Sequence, residues 1–268
     1  MASGKDLQPN KETGWRRGFK QLLKRENENW WKTRRWLVQV IIYLLVLNGL
    51  VAIILNNSSA TTGLGRDTIA AGMQIFLVMG GLAPIISIVT VGQDTIIGEK
   101  QSGTAAWILS KPVSRTSFIL SKLIALSLGI FVSIAFIQGA IAYAQLSIKN
   151  GQPLPPLDFM GGILLLCLNY LFYITLTLML GVLFEQRGGV IGIGLALAFG
   201  YQLFTGIAPW LMQVMPWGIV ITAGSTPSVA EAVMHGQTPA SFLPVAATIV
   251  WSCLFMAVAL WRFEKAEF

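Results

Sequence analysis

Few residues of this chain are of types that could carry out chemistry, and none of them forms a complete catalytic set. Gly98, Gly103 and Thr104 resemble the spacing of a nucleotide phosphate loop, in which a lysine follows the second glycine. Here Thr104 takes the place of that lysine, and no β-strand pattern precedes the loop. Two cysteines and one histidine give no clustered set of metal ligands. We therefore expect no enzymatic activity, no cofactor and no metal in this chain.

The composition predicts a membrane protein. Of the 268 residues, 54% are hydrophobic and 12% are charged, whereas a soluble domain carries roughly 25% charged residues. The formal charge is +7, and ten of the nineteen lysines and arginines precede residue 36. A basic flank beside apolar runs is typical of the cytoplasmic surface of an anionic bilayer. We therefore expect the lipid bilayer, and not nucleic acid, as the partner of these charges.

Six apolar runs are each long enough to cross a bilayer as a helix, since about twenty residues span a core of about 30 Å. The sequence thus predicts an all-α integral membrane protein with six transmembrane helices. With the N-terminus in the cytoplasm, seventeen lysines and arginines lie inside and two lie outside. This bias places both termini in the cytoplasm. The predicted spans are 36–55, 70–92, 118–145, 159–184, 189–209 and 242–262, within a transmembrane domain of residues 36–268.

Two segments precede the first span. Residues 1–13 are polar, and we expect them to be disordered. Residues 14–35 are predicted to form an amphipathic helix in the membrane interface, because apolar side chains recur at helical spacing among basic ones. A solvated basic linker is the alternative. The stripe consists of Trp15, Phe19, Leu22, Glu26 and Trp30.

The fifth run carries a small residue at every fourth position. Such a narrow face allows two helices to approach closely. Its partner is either another helix of this chain or the same helix of a second copy, and the sequence leaves both open. The residues are Gly188, Gly192, Ala196 and Gly200.

Neutral polar side chains are the main polar groups inside the spans. No ionisable side chain lies near the middle of a span, which argues against a proton-driven carrier. Most of the neutral groups are expected to form hydrogen bonds between helices. The candidate pathway-lining residues are Asn48, Gln74, Gln202 and Thr205.

The longest outer loop, residues 210–241, begins with an apolar stretch. It is predicted to contain a short interfacial or re-entrant helix, followed by a small amphipathic helix from Pro227. Ser225, Thr226 or Ser228 is the expected N-cap of that second helix.

The loop between the second and third spans, residues 93–117, predicts a helix–break–helix element. Residues 94–101 extend the second span, Gly103 and Thr104 permit a break, and residues 105–110 form a short helix. Pro112 ends that helix because proline lacks an amide hydrogen and disfavours helix at the preceding residue. An element held between two spans in this way is suited to transmit force to both.

A sequence signature runs through the same loop. It reads Glu99-x-x-x-Gly103-Thr104, then Ile-Leu-Ser-Lys-Pro-Val-Ser-Arg ending at Arg115, and then Lys122. This pattern resembles the membrane subunits of type-2 ATP-binding-cassette exporters. The resemblance extends in plan over the whole chain, with an amphipathic helix, six spans and a long outer segment before the last span.

The resemblance implies a multi-pass permease subunit in the cell (plasma or inner) membrane. Residues 94–110 would dock on a separate ATPase subunit, which would bind ATP and Mg. A second permease copy, in a homodimer or a heterodimer, would complete the exporter, and its cargo would be a lipid, glycolipid, peptide or drug-like amphiphile. The residues that the resemblance assigns to ATPase coupling are Asp94, Glu99, Gly103, Thr104, Pro112 and Arg115.

Other functional readings of the sequence stay open. A mechanotransmitter would use the same ATPase coupling to drive an extracytoplasmic partner through residues 210–241, without moving a substrate. A membrane scaffold without an ATPase fits the 93–117 loop less well. A channel is the least favoured, because no span carries a charged residue that could form a ring.

Overall fold

The computed structural model describes residues 14–57, 67–222, 224 and 226–265, and in these ranges the chain forms helices and turns without a β-strand. The predicted disordered segment, residues 1–13, lies outside the described residues. A 3-10 turn at Gly14–Arg16 precedes the first helix. The helices are α1 (Phe19–Trp31), α2 (Arg35–Asn56), α3 (Thr68–Gln101), α4 (Thr104–Leu109), α5 (Arg115–Asn150), α6 (Pro156–Leu183), α7 (Arg187–Phe199), α8 (Tyr201–Ile207), α9 (Leu211–Val214), α10 (Trp217–Val220), α11 (Val229–Met234) and α12 (Leu243–Glu264).

Five of the described helices, α2, α3, α5, α6 and α12, are long and apolar enough to cross a membrane. Helices α7 and α8 make a sixth candidate only if they are counted as one span, because they meet at an angle of 62°. The all-helical prediction is therefore confirmed, and the helices are compatible with a multi-pass membrane protein. The predicted fifth span, 189–209, corresponds to this bent pair, and the bend itself was not predicted.

Gly200 lies at this bend between α7 and α8. A Cβ at Gly200 would lie 2.4 Å from the carbonyl oxygen of Ala196 and 2.8 Å from the ring of Phe204. Trp217 of α10 donates its indole hydrogen to the carbonyl of Leu197 at 3.0 Å, and its ring stacks on Phe204. The bend thus depends on a residue without a side chain and on a tryptophan that arrives from later in the chain.

Helix α6 lies at the centre of the bundle and contacts α3, α5, α7 and α12. In its most apolar window 72% of the residues are buried, compared with 28% for α2 and 22% for α12. Helices α2 and α12 therefore present most of their apolar surface outward, where lipid or another apolar surface must cover it.

Helix α3 contains Pro84, whose missing amide hydrogen leaves the carbonyl of Gly80 without its helical donor. The hydroxyl of Tyr170, on α6, donates to that carbonyl at 2.7 Å. The neighbouring Asn169 donates to the carbonyl of Gly81 at 3.0 Å. Polar side chains of α6 therefore hold the interrupted stretch of α3 in place, as buried backbone groups require.

Candidate functional site

Helix α1 packs along the first half of α5. Leu22 and Trp30 are buried there, and Gly129 makes room for the indole, since a Cβ at Gly129 would lie 2.4 Å from a Trp30 ring carbon. Phe19 is half-buried and Trp15 is 50% exposed. Two apolar members of the predicted stripe, Leu22 and Trp30, therefore face another helix of the chain. A solvated linker does not describe this segment.

Lys122 of α5 lies at the centre of a group of charges that we call the charged cluster, formed by Arg25, Glu26, Glu99 and Lys122. The Lys122 side chain is 1% exposed, and its Nζ lies 3.0 Å from a carboxylate oxygen of Glu26 and 2.8 Å from one of Glu99. Arg25 approaches Glu99 at 3.6 Å. Because a buried charge is stable only when it is paired, Lys122 ties α1 and the end of α3 to α5.

Lys100 and Gln101 fasten the end of α3 to the end of α6. The Nζ of Lys100 donates to the carbonyl oxygens of Gly181 at 3.0 Å and Val182 at 2.8 Å. Gln101 donates to the carbonyl of Glu185 at 3.2 Å. The last carbonyls of a helix lack helical donors and carry partial negative charge, so a lysine is a suitable partner for them.

Asp94 adds an ion pair to the contact between α3 and α7, with a carboxylate oxygen 3.1 Å from a guanidinium nitrogen of Arg187. Asp94 begins a π-helical stretch of α3, Asp94–Gly98, and such stretches are frequent at functional sites. Both side chains are more than 40% exposed, so this pair orients the helices more than it stabilises them.

The helix–break–helix element predicted from the sequence is present after α3. Gly103 has a φ of 70°, a conformation that favours glycine, and α4 follows directly. Ala105 and Ile108 of α4 face the bundle and are buried. Trp107 points away from the bundle with 60% of its surface exposed, and the Nζ of Lys111 lies 3.5 Å from its ring centroid. The outward face of α4 thus carries an exposed tryptophan ring with a lysine ammonium group beside it.

Thr104, Pro112 and Arg115 occupy the ends of this element. Thr104 is the first residue of α4, and Pro112 is exposed in the turn that follows it. Arg115 begins α5 and donates to the carbonyl of Glu264 at 2.7 Å, which connects the turn to the end of α12. Ser114 caps α5 by accepting a hydrogen bond from a backbone amide.

The 3-10 turn before α1 is bonded to the same place. The backbone amide of Ser114 donates to the carbonyl of Arg17 at 3.0 Å, and its hydroxyl donates to the carbonyl of Trp15 at 2.6 Å. The hydroxyl of Ser117 donates to that carbonyl as well. The start of α5 therefore fixes the segment that precedes α1.

A cavity of about 310 Å³ lies beside the charged cluster. Positive and negative side chains are equally represented among its charged lining residues, and the described residues contain no group of three or more His, Cys, Asp or Glu side chains that could hold a metal. The arrangement connects helices electrostatically. The charged residues that line it are Glu26, Arg35, Asp94, Glu99, Lys122 and Arg187.

Asn48, predicted as a pathway-lining candidate, is instead buried between α2 and α5. Its Nδ2 donates to Oε1 of Gln138 at 2.8 Å, and Nε2 of Gln138 donates to the carbonyl of Val40 at 2.9 Å. Two π-helical stretches, Leu44–Asn48 and Phe131–Phe136, surround this pair and alter the backbone bonding nearby. Asn48 therefore binds two helices together.

The other three pathway candidates lie towards the opposite end of the bundle. Gln74 donates to the hydroxyl of Thr222 at 3.0 Å, so it also bonds within the chain. Gln202 is exposed and donates to the hydroxyl of Tyr201. Thr205 lines a second cavity.

The small-residue stripe of α7 faces away from the rest of the described chain. A Cβ at Gly188 or Gly192 would meet nothing within 4 Å among the described residues, and Ala196 is exposed. Gly200 lies at the bend. Among the described residues, therefore, no other helix contacts this face at Gly188 or Gly192, as one of the two alternatives would require. The face that does contact α3 carries Gly194, where a Cβ would lie 2.8 Å from a valine methyl.

The segment predicted as the outer loop folds into α9, α10 and α11. Ser228 is the N-cap of α11, accepting from the amide of Glu231 at 3.2 Å while Glu231 accepts from the amide of Ser228 at 3.4 Å. This reciprocal pair is a capping box. Of the other proposed caps, Thr226 lies outside the helix and Ser225 lies outside the described residues.

The sequence reasoning missed the roles of Glu26, Lys100, Lys122 and Arg187. Two of them carried a signal, because Glu26 interrupts an otherwise apolar stripe and Lys122 lies within an apolar run. A charge on an apolar face needs a partner of opposite sign. Lys100 and Arg187 gave no comparable signal, since both lie in polar segments.

The fold and the site define a helical protein with at least five membrane-length apolar helices and a charged cluster at one end. Residues 36–268 match the family described as Protein of unknown function (DUF2705), and the chain belongs to this family. The match begins within α2 and therefore leaves α1 outside it. No match was found among the curated proteins that were compared.

Proposed function

We propose that this chain is the membrane-spanning permease subunit of an ATP-binding-cassette exporter. Helices α2, α3, α5, α6, the bent pair α7–α8 and α12 form six spans, with both termini and the charged cluster on the cytoplasmic side. The excess of lysine and arginine at that side supports the orientation. The sequence signature of the 94–110 segment supports the class.

The main support for the proposal is the set of contacts that joins residues 94–110 to the neighbouring helices. Lys122 joins it to α1 and α5, Lys100 joins it to α6, and Arg187 joins it to α7. A displacement of this segment is therefore transmitted to four helices at once. A segment held so firmly, with a helix at its tip, is suited to receive force from another subunit.

The outward face of α4 supports a protein partner at that tip. Trp107 is 60% exposed, and tryptophan is enriched among the residues that dominate binding energy at protein interfaces. The partner that we propose is a separate ATPase subunit, which binds ATP and Mg and supplies the energy. The chain itself contributes the docking face and the transmission.

A second permease copy, identical or related, would complete the pathway. The exposed small-residue face of α7 permits close approach of another helix, and the exposed apolar face of α2 offers further area. Since the pathway candidates Asn48 and Gln74 form hydrogen bonds within the chain, we place the pathway between copies. Its apolar walls suit a lipid, glycolipid or drug-like amphiphile.

A mechanotransmitter is the second candidate. It is favoured because Asn48 and Gln74 form hydrogen bonds within the chain and are therefore not available as the polar lining of a pathway through one chain. In that case ATP turnover would drive a partner at the α9–α11 end and nothing would cross. ATP-dependent release of labelled lipid from vesicles that contain the complex separates the two functions. Release supports the exporter, and ATP turnover without release of lipid or another amphiphile supports the mechanotransmitter.

Native purification of the tagged chain in mild detergent, followed by mass spectrometry, tests the proposed partner. We expect a stoichiometric soluble subunit with a phosphate loop, and we expect Trp107→Ala to lose it. Trp261→Ala is the matched control, since Trp261 is 56% exposed and is also stacked with a lysine, Lys265, at 4.2 Å. A preparation without an ATPase, from cells that express the native neighbouring genes, would contradict the proposal.

A further inference from the structure

A second cavity, of about 460 Å³, lies at the end of the bundle opposite to the charged cluster. Its walls come from α8, α9 and the start of α12, together with the segment between α10 and α11. The volume falls within the range of about 300–1,000 Å³ that is typical of small-molecule sites.

The described lining of this cavity contains no charged residue. The carboxylate of Glu231 bonds to the lining residue Thr222, since its Oε2 accepts hydrogen bonds from the hydroxyl of Thr222 at 2.6 Å and the amide of Ser228 at 3.4 Å. The cavity beside the charged cluster, by contrast, is lined by six charged side chains. The part of a ligand that enters the uncharged cavity must therefore be uncharged itself, because a buried charge would lack a partner.

Four prolines contribute to the lining: Pro209, Pro227, Pro239 and Pro244. A proline ring fixes one backbone angle, so walls built from proline lose little conformational freedom when a ligand binds. A preformed cavity avoids much of the entropy cost of binding. The backbone at these four positions of the wall is therefore restricted before a ligand binds.

Apolar surface leads up to the cavity. Helix α8, which contributes Tyr201 and Thr205 to the lining, has no buried residue, and its Leu203 and Ile207 are 66% and 78% exposed. Phe242, next to the lining residue Ser241, is 62% exposed. These exposed apolar side chains lie on the elements that line the cavity and offer contacts to an alkyl chain beside it.

We propose that this cavity binds an uncharged amphiphile, such as a long-chain alcohol, with both its alkyl part and its hydroxyl head among the lining residues. Gln213 and Ser241, which are exposed lining residues, offer neutral hydrogen-bonding groups to a hydroxyl head. This inference rests on the proposed function in one respect, in that the ligand would be the class of cargo that the exporter releases. Binding itself requires no ATPase.

The test uses a photoreactive diazirine derivative of hexadecanol and the purified full-length chain in lipid nanodiscs. After irradiation, mass spectrometry of peptides locates the labelled residues. We expect labelling at lining residues such as Met212, and we expect Thr205→Trp, which fills the cavity, to abolish it. The matched control is Ile53→Trp, which places the same side chain on an exposed position of α2, outside the cavity lining, and should leave the labelling intact.

Competition defines the ligand class. An excess of unlabelled hexadecanol should remove the labelling of the cavity, while an equal excess of hexadecyl sulfate or hexadecyltrimethylammonium should not. Equal displacement by the charged competitors would overturn the proposal. Labelling confined to the outward faces of α2 and α12, or labelling of the cavity that survives Thr205→Trp in a folded protein, would overturn it as well.

The outcome is separable from that of the proposed function. If the labelling succeeds and no ATPase co-purifies, the site stands and the exporter fails. If the ATPase co-purifies and the cavity is not labelled, the exporter stands and its cargo is of another class.

Discussion

Replacing Lys122 by methionine removes the ammonium group that joins three helices while keeping a side chain of similar length. The partners that remain, Glu26 and Glu99, have side chains that are 12% and 16% exposed. Water therefore reaches both carboxylates only in part. Arg25 remains 3.6 Å from Glu99, so the loss of stabilising charge is greater for Glu26 than for Glu99.

The expected loss of stability is large. Removal of one partner of a buried ion pair costs about 3–5 kcal/mol, because the other charge stays buried without compensation. The partial exposure of the two carboxylates places Lys122→Met at the lower end, about 3 kcal/mol. For a chain of this size, that loss corresponds to a decrease of about 6–12 °C in the midpoint of thermal unfolding.

Thermal unfolding of the purified chain in detergent, followed by tryptophan fluorescence, measures the effect. The double variant Glu26→Gln with Lys122→Met should lose less than the sum of the single variants, since it no longer leaves Glu26 charged and unpaired. Glu28→Gln is the control on the same helix. Glu28 pairs with Lys32 at 2.9 Å with both side chains exposed, so its replacement should leave the midpoint unchanged.

Two results would refute this reasoning. The first is a midpoint for Lys122→Met that equals that of the unmodified chain, since Lys122 would then not hold the helices together. The second is strict additivity between the changes at Glu26 and Lys122, which would show that the two side chains do not interact.

Three further predictions concern packing. Gly129→Ala places a methyl group within the volume of a buried indole, so we expect a loss of about 1–3 kcal/mol and faster proteolysis of α1. Asn48→Ala leaves the Gln138 side chain without its hydrogen-bond partner, at a cost of about 1–3 kcal/mol. We expect a lower midpoint of thermal unfolding for this variant. Replacing both Asn48 and Gln138 by leucine should restore part of the loss. Gly192→Leu alters only an exposed face, so it should reduce self-association in light scattering without changing the midpoint, whereas Gly194→Leu should lower the midpoint.

Each of these has an outcome that contradicts it. If Gly129→Ala left the rate of proteolysis of α1 unchanged, α1 would not pack against α5 at Gly129. An unchanged midpoint for Asn48→Ala would restore its candidacy as a pathway residue. Self-association that persists in Gly192→Leu would remove α7 from the contact between copies.

The helices themselves could be predicted well from the sequence. The predicted spans 159–184 and 242–262 agree closely with α6, Pro156–Leu183, and with α12, Leu243–Glu264. Apolar runs of this length have few alternatives to a helix, since backbone groups in an apolar environment must bond within the segment. Local composition is therefore sufficient for this part of the fold.

The bend between α7 and α8 could not be predicted in the same way. Its sequence is mostly apolar, and a small residue at every fourth position is equally compatible with a straight helix. The bend is stabilised by Trp217, whose indole bonds to the carbonyl of Leu197 from 20 positions away. A contact of that kind depends on the path of the chain and not on the local pattern.

The charged cluster likewise could not be predicted from the local sequence. Glu99 was assigned from its motif, whereas Glu26 and Lys122 lie 96 positions apart and neither motif nor spacing connects them. Each is recognisable alone as a charge on an apolar face. Their pairing becomes visible only when α1 is packed against α5, which the interfacial prediction for α1 did not include.

The contact between α4 and an ATPase is the central claim, and photocrosslinking in living cells tests it most directly. Trp107 is replaced by the photoreactive amino acid benzoylphenylalanine, the cells are irradiated, and the captured protein is identified by mass spectrometry. The account predicts a single adduct with a subunit that carries a phosphate loop, and no such adduct from the same replacement at Trp261. Irradiation that yields only lipid adducts at Trp107, or the same ATPase adduct at both positions, would contradict it.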